Sequence, residues 1–348
     1  MKFKKIFLLF ILSIFQLVSC QTKNTYMPVY NIEISHPDNK YLITPVEDKI
    51  ITLENTNASL PYGSSSGEWG YSGKTFTEQH GTPIGADIVY FSRYEDTFYH
   101  LKADFPVEFM KEMTQRAYAD DDHQEKFKGK EYITVDEKEE FDGYYEMSSL
   151  VFGFAPKGVV IVWLRYGIQQ IEIGQFQADV IQDDKQYEEK LFSRISQSRK
   201  DIYNAMFLKD ASPDIWLNYR TKYIWQPIAT STNKDFRFLG VTNRYYNGER
   251  EMMFQPWLSE NNMRERTVPK ELTFYYTFGK DQQYEGRVFF DFDKMSESFK
   301  KAGPNAKLEF RVAPDNSDYE IFLNGQPLEV LSKRIFKNTH LTFKDSYK

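Results

Sequence analysis

Two stretches of this chain carry one pattern, and any fold has to accommodate both. PIGADIVYFSRYEDTFYHLKADFPVEFMKEM runs from Pro83 to Met113, and PKELTFYYTFGKDQQYEGRVFFDFDKMSESF begins at Pro269. Each reads as an apolar strand, a polar turn, an alternating strand and a short helix with two apolar residues four apart, Phe109 with Met113 and Met295 with Phe299. In the first copy Tyr99, Leu101, Ala103 and Phe105 alternate with polar residues; in the second, Val288, Phe290 and Phe292 do the same. Pro106 suits a first helical position and Asp293 suits a cap. The expected fold is α+β and β-rich, with two related antiparallel sheet units of strand-strand-helix-strand-strand order joined by a longer helix. That helix is expected from about Gln186 to Leu208, where Tyr187, Leu191, Ile195, Ile202 and Met206 share a face.

The 348 residues suffice for two ordinary domains. Residues 1–19 hold Lys2, Lys4 and Lys5 before an apolar run from Ile6 to Val18, the layout of a secretory signal peptide, and that run is short for a membrane span. Residues 20–30 read as a tether, 31–209 as the first β-rich unit and 210–348 as the second, with Ser212-Pro213 marking a helix start near the boundary. An acidic insertion, 118–146, separates the first helix from the strands after it and has no counterpart in the second copy. Asn247-Gly248 and Asn324-Gly325 mark tight hairpins, whose central positions need positive φ. A long loop, Glu54 to Ile84, carries Trp69 and is too long for a plain connector.

Cys20 is the chain's single cysteine, so disulfides, cysteine-based zinc sites and thiol catalysis are excluded together. Leu17-Val18-Ser19-Cys20 resembles the lipobox of bacterial lipoproteins, which implies that Cys20 carries palmitate or a similar lipid as the new N-terminus. Each buried methylene of such a chain contributes about 0.8 kcal/mol to anchoring. Gln21 is not the aspartate that often retains lipoproteins in an inner membrane, so the outer membrane, facing the periplasm, is the expected location. Removing residues 1–19 takes away three lysines and no acid, moving the formal charge from −6 to −9. A chain so acidic would be repelled by nucleic acid, and none is expected as a partner.

No catalytic set emerges. Gly63-Ser64-Ser65-Ser66-Gly67 has the G-x-S-x-G spelling of serine hydrolases, yet no strong strand precedes it and no convincing helix follows, so a Gly/Ser loop is the better reading. Asp120-Asp121-Asp122-His123 offers metal-type ligands, but neighbours on an extended chain point to opposite sides. Asp291 and Asp293 lack the glycine and late glutamate of a calcium loop. His36, His80, His100, His123 and His340 are scattered. No metal, cofactor or enzymatic activity is expected. Trp69 and Tyr71, with Trp257 in a comparable place before the second copy, are the candidate binding residues; Trp69 precedes Pro83 by 14 residues and Trp257 precedes Pro269 by 12.

The lipobox, the Trp69-Gly70 loop and the segment IVYFSRYEDTFYHLKADFP, with Ser92, Glu95, Phe98 and Tyr99 spaced as SxxExxFY, resemble the bacterial lipoprotein family known as domain of unknown function 2931. The resemblance covers about Glu68 to Met113, and the second copy lacks the Glu-x-x-Phe-Tyr portion. It implies no activity and transfers no site residue except Cys20. Similar lipoproteins lie beside secreted antibacterial lipases, so the expectation is a noncatalytic membrane-anchored lipoprotein that binds a protein partner, as an immunity factor. The alternatives are a glycan- or cell-wall-binding lipoprotein using the aromatic loops and, less favoured, a hydrolase using Ser65.

Overall fold

Alternation along the strands decides where the cores sit. A computed structural model describes residues 26–61, 67–72, 75–120, 128–260, 263–279 and 282–338. Among the described residues the strands form one ten-stranded sheet and four smaller ones. The large sheet runs Ser332–Asn338, Gln283–Phe289, Pro269–Phe278, Phe236–Tyr245, Arg250–Phe254, Gln169–Gln177, Val159–Tyr166, Ser149–Phe154, Val29–Ser35, Thr75–His80. Its first half and second half meet at a single register pair, Gln170 opposite Arg250.

Each half of the large sheet is covered by a smaller sheet on one face. Ile43–Thr52, Pro83–Ser92, Thr97–Asp104 and Asp179–Val180 form a four-stranded sheet. Its Ile50, Ile88, Tyr90 and Leu101 meet Leu150, Phe152, Val162 and Leu164 of the large sheet in the first core. Tyr223–Thr230, Ala306–Val312, Tyr319–Leu323, Gln326–Pro327 and Arg264–Arg266 form a five-stranded sheet over the second half. There Trp225, Leu308, Phe310 and Ile321 pack against Val241, Met253, Leu272 and Phe274. The protein is therefore β-rich with several sheets and few helices, as the alternation implies.

The strand Pro83–Ser92 is buried on both faces, because the side away from the first core is roofed by helices: Val89 and Phe91 pack with Leu191 and Ile202. The single long helix expected over Gln186 to Leu208 is instead two, Lys185–Phe192 and Arg199–Met206. Between them, residues 193–198 contain Ser198, which caps the second helix in a reciprocal capping box with Asp201, so the chain restarts rather than continues. The expectation of purely antiparallel units also fails. Val29–Ser35 pairs in parallel with Ser149–Phe154, and Tyr223–Thr230 with Ala306–Val312. Both crossovers are long enough to permit it.

The two short helices differ in detail from expectation. In Val107–Thr114 the buried residues are Met110, Met113 and Thr114, while Phe109 is 37% exposed, and Pro106 stands at the N-cap, one place before the first helical residue. In Phe292–Ala302 Met295 and Phe299 are buried as their spacing implies, each contributing about 1.5–3 kcal/mol. The cap is Asp291, whose side chain accepts the Lys294 N–H at 3.0 Å, and Asp293 lies inside the first turn. The acidic insertion is more than a solvated loop. Arg116–Ala119, Tyr132–Thr134 and Tyr144–Tyr145 form a small sheet whose Ile133 and Tyr144 join the second core. Glu131 holds Arg264 through two hydrogen bonds at 2.7 and 2.8 Å, tying the insertion to the second half.

Candidate functional site

On the face of the large sheet away from the first core, Val151, Ile161 and Trp163 point outward and need cover. The hairpin of Gly67–Glu68 with Tyr71–Ser72 supplies it. Trp69, half-buried, stands edge-on to Trp163 with ring centroids 5.2 Å apart, and Trp216 of the short helix Asp214–Asn218 lies 6.2 Å from Trp69. Gly70 holds the turn at φ +79°, and its N–H donates to Ser35 Oγ at 2.8 Å. A Cβ on Gly70 would sit 2.7 Å from Gly248 Cα, so the two backbones touch where the halves meet.

Beneath this contact lies a buried polar network. Glu33 Oε1 accepts from Ser149 Oγ at 2.8 Å and from Arg165 Nη1 at 2.7 Å. Arg165 also donates to Gln170 Oε1 at 2.7 Å and to the Gly70 carbonyl at 3.1 Å. Gln170 Nε2 bridges the halves, donating to the Gly70 carbonyl at 2.8 Å and the Gly248 carbonyl at 2.6 Å. The Tyr71 ring lies between two guanidiniums, 4.9 Å from Arg165 and 4.8 Å from Arg250. Burial, and then the Arg165 and Arg244 charges, pull Arg250 down to about 10.

Above the network a cleft of about 300 Å³ opens between the halves, walled by Trp69, Trp216 and Tyr219 and by Arg244, Arg250 and Lys270. Glu68 reaches across it, accepting from Lys270 at 2.9 Å and lying 3.8 Å from both Arg244 and Arg250. Burial pushes its carboxyl up, but the Lys270 hydrogen bond and charge, helped by Arg250 and Arg244, outweigh it and hold Glu68 below the usual range. Rings beside fixed cations recognise and orient a ligand; nothing in this set is arranged as a nucleophile with its base.

Of the sequence candidates, Trp69 and Tyr71 are brought together here, but Trp257 is not. It is 6% exposed and packs 4.9 Å from Phe254 in the second core, because the short helix Trp257–Glu260 turns its apolar residues inward. Cys20, Ser65, Asp121, Asp122, His123 and His340 lie outside the described residues. Asp120 is buried, accepting the Ile168 N–H at 3.2 Å. His36 accepts the Ile43 N–H in the interior, and His100 pairs with Asp87 at 2.7 Å. Among the described residues no cluster of three or more His, Cys, Asp or Glu is placed to hold a metal ion. Sequence reasoning missed Arg165, Gln170, Trp216, Arg244 and Arg250.

The SxxExxFY residues work on the scaffold. Glu95 accepts from Ser92 Oγ and from the Lys157 N–H, each at 2.9 Å, clamping its own turn to a second one. Phe98 packs on Phe91 at 4.7 Å and Tyr99 stacks on Tyr90 at 5.4 Å. No curated protein and no solved structure matches the chain. A family model described as "Protein of unknown function (DUF2931)" matches residues 28–213, just over half of the chain, taking in the Trp69-Gly70 hairpin, the Glu95 clamp, Arg165 and Gln170. The chain belongs to the DUF2931 family.

Proposed function

We propose that the chain is a noncatalytic outer-membrane lipoprotein, anchored by lipid on Cys20 and facing the periplasm, that binds a protein partner, with immunity to a secreted antibacterial lipase as the role that suits it. One observation carries the reading. Tyr71 is 44% exposed yet held between Arg165 and Arg250, beside Trp69 and Trp216, where the two halves meet. Tyr, Trp and Arg held in place are the residues on which binding energy concentrates at protein interfaces. A glycan reading has support of its own in the ring wall of Trp69, Trp216 and Tyr219.

Affinity capture from a periplasmic extract separates them. The wild-type chain is expected to retain a protein that Tyr71→Ala loses by tenfold or more, a change of about 1.4 kcal/mol or greater. Retention of no protein, with a shift on a polysaccharide gel, hands the role to glycan binding; ester hydrolysis abolished by Ser65→Ala would restore the hydrolase. Radiolabelled palmitate is expected to enter the wild type and to be absent from Cys20→Ala, and an unlabelled wild type would remove the anchor from the proposal.

The same proposal holds that 31–209 and 210–348 are duplicated units. In support, Ile43–Thr52, Pro83–Ser92 and Thr97–Asp104 neighbour one another in the order of Phe236–Tyr245, Pro269–Phe278 and Gln283–Phe289. Each trio is followed by a helix and then, in the first unit after the three short strands of the insertion, by a strand that pairs in parallel with the unit's opening strand.

A further inference from the structure

Arg244 and Arg250 face each other across a rung of the hairpin that turns at Asn247-Gly248. Like charges directly opposite on an antiparallel pair repel, and among the described residues the acids that approach the pair do so only at long range. Neither guanidinium hydrogen-bonds to any described residue. Their nearest acids are Glu68, 3.8 Å from each, and Glu271, 3.6 Å from Arg244, all beyond good hydrogen-bonding distance. Arg250 is the more demanding case, since its side chain is only 15% exposed. A guanidinium so far out of water normally holds a bidentate acceptor. Arg264 and Arg266 do so, on Glu131 and Glu251.

What Arg250 and Arg244 do face is the cleft, which both line. The geometry points to a carboxylate-binding site at this junction, in which Arg244 and Arg250 together take the anion, Trp69 and Trp216 take the compact body attached to it, and Glu68 is a built-in stand-in that the ligand displaces. Glu68 already occupies the position between the three cations, held there by Lys270. The balance of charge favours a single negative charge over two. Arg244, Arg250 and Lys270 are opposed by Asp38, Glu68, Glu249 and Glu271 around the same cleft, so the lining has no surplus cation and a ligand that swings Glu68 outward brings one charge to replace one. A volume of about 300 Å³ admits one sugar acid or one amino-acid side chain, not a longer segment.

This inference goes beyond the protein-partner reading and stands or falls separately, because it is tested without any partner. The purified full chain is titrated by calorimetry and tryptophan fluorescence with glucuronate and with capped aspartate, and with their neutral counterparts glucose and capped asparagine. At least one carboxylate is expected to bind about tenfold or more tighter than its neutral counterpart. Glucuronate alone would assign the site to free sugar acids, and capped aspartate alone to an acidic side chain. Arg250→Gln and the half-exposed Arg244→Gln, which disturbs no core, are each expected to weaken the bound carboxylate several-fold, whereas Glu68→Gln is expected to tighten it. Absence of binding by both carboxylates, equal binding of the neutral compounds, or affinity unchanged in Arg244→Gln would overturn the proposal.

Discussion

Replacing Arg266 with alanine is expected to destabilise the protein by about 3–5 kcal/mol, the usual result of stranding one member of a buried ion pair. Arg266 is 4% exposed and Glu251 7%. Arg266 donates to Glu251 at 2.6 and 2.9 Å and to the Trp225 carbonyl at 2.7 Å, with its guanidinium 5.5 Å from the Trp225 ring. Glu251 also accepts from Tyr245 Oη at 2.6 Å, and among the described residues its only other cation is Arg264, at 3.5 Å. Urea unfolding of the purified chain measures the loss. Glu251→Leu combined with Arg266→Met is expected to recover most of it, since both desolvation costs then vanish. A loss below about 1 kcal/mol in Arg266→Ala would sink the account.

The pair also sets a pH dependence. Burial pushes the Glu251 carboxyl up, but the Arg266 charge and the Arg266 and Tyr245 hydrogen bonds outweigh it, leaving the folded value below the ordinary 4.5. The unfolded chain therefore takes the proton first on acidification. This contribution to stability is complete above that ordinary value and is lost as pH falls through the lower folded value. Arg266→Ala should lose stability less steeply than the wild type below about pH 4.5.

Gly70→Ala is the second large effect, expected at about 2–5 kcal/mol. An alanine at φ +79° costs roughly 1–2 kcal/mol in backbone strain. Its Cβ would also lie 2.7 Å from Gly248 Cα, 2.8 Å from the Gly248 carbonyl oxygen and 3.0 Å from Gln170 Nε2. Backbone cannot step aside as a side chain tip can, so overpacking adds about 1–3 kcal/mol. Gly174→Ala, whose new methyl would meet only the Phe176 ring at 3.5 Å, is the control and should change little. If the two variants unfold at the same urea midpoint, the Gly70–Gly248 contact does not hold the halves together.

Local signals in the sequence carried a good deal of this fold. Asn324-Gly325 does turn a tight hairpin with both residues at positive φ, Asn247-Gly248 closes one in which only Gly248 is so, and the alternation in Thr97–Asp104 and Gln283–Phe289 does mark the faces that meet the cores. What escaped were pairings between distant segments. Val29–Ser35 beside Ser149–Phe154 joins residues more than a hundred apart, and no periodicity records which strands will be neighbours. The long helix failed because a shared apolar face at 3.6-residue spacing says nothing of a capping serine in its middle. At the site, Trp69 and Tyr71 were legible as aromatics in a loop, while the arginines were hidden among 44 basic residues. One signal was available: Arg165 is the only charge in the run VVIVWLRY, and a lone charge in a buried strand demands a partner. The Arg244–Arg250 pairing was not legible, because a two-residue turn on Asn247-Gly248 would set Arg244 against Glu251, whereas the hairpin has a three-residue loop centred on Asn247.

The Gln170 bridge has a consequence in time. The chain is made from its N-terminus, and domains tend to fold as they emerge. Arg165 and Gln170 can engage the Gly70 carbonyl while the second half is still unmade, but the other Gln170 acceptor, on Gly248, is 78 residues further along. If the cleft binds as proposed, recognition matures late: Arg244, Arg250 and Lys270 join Trp69 only when the two halves close on each other, and a half-folded chain holds the aromatic wall without those cations.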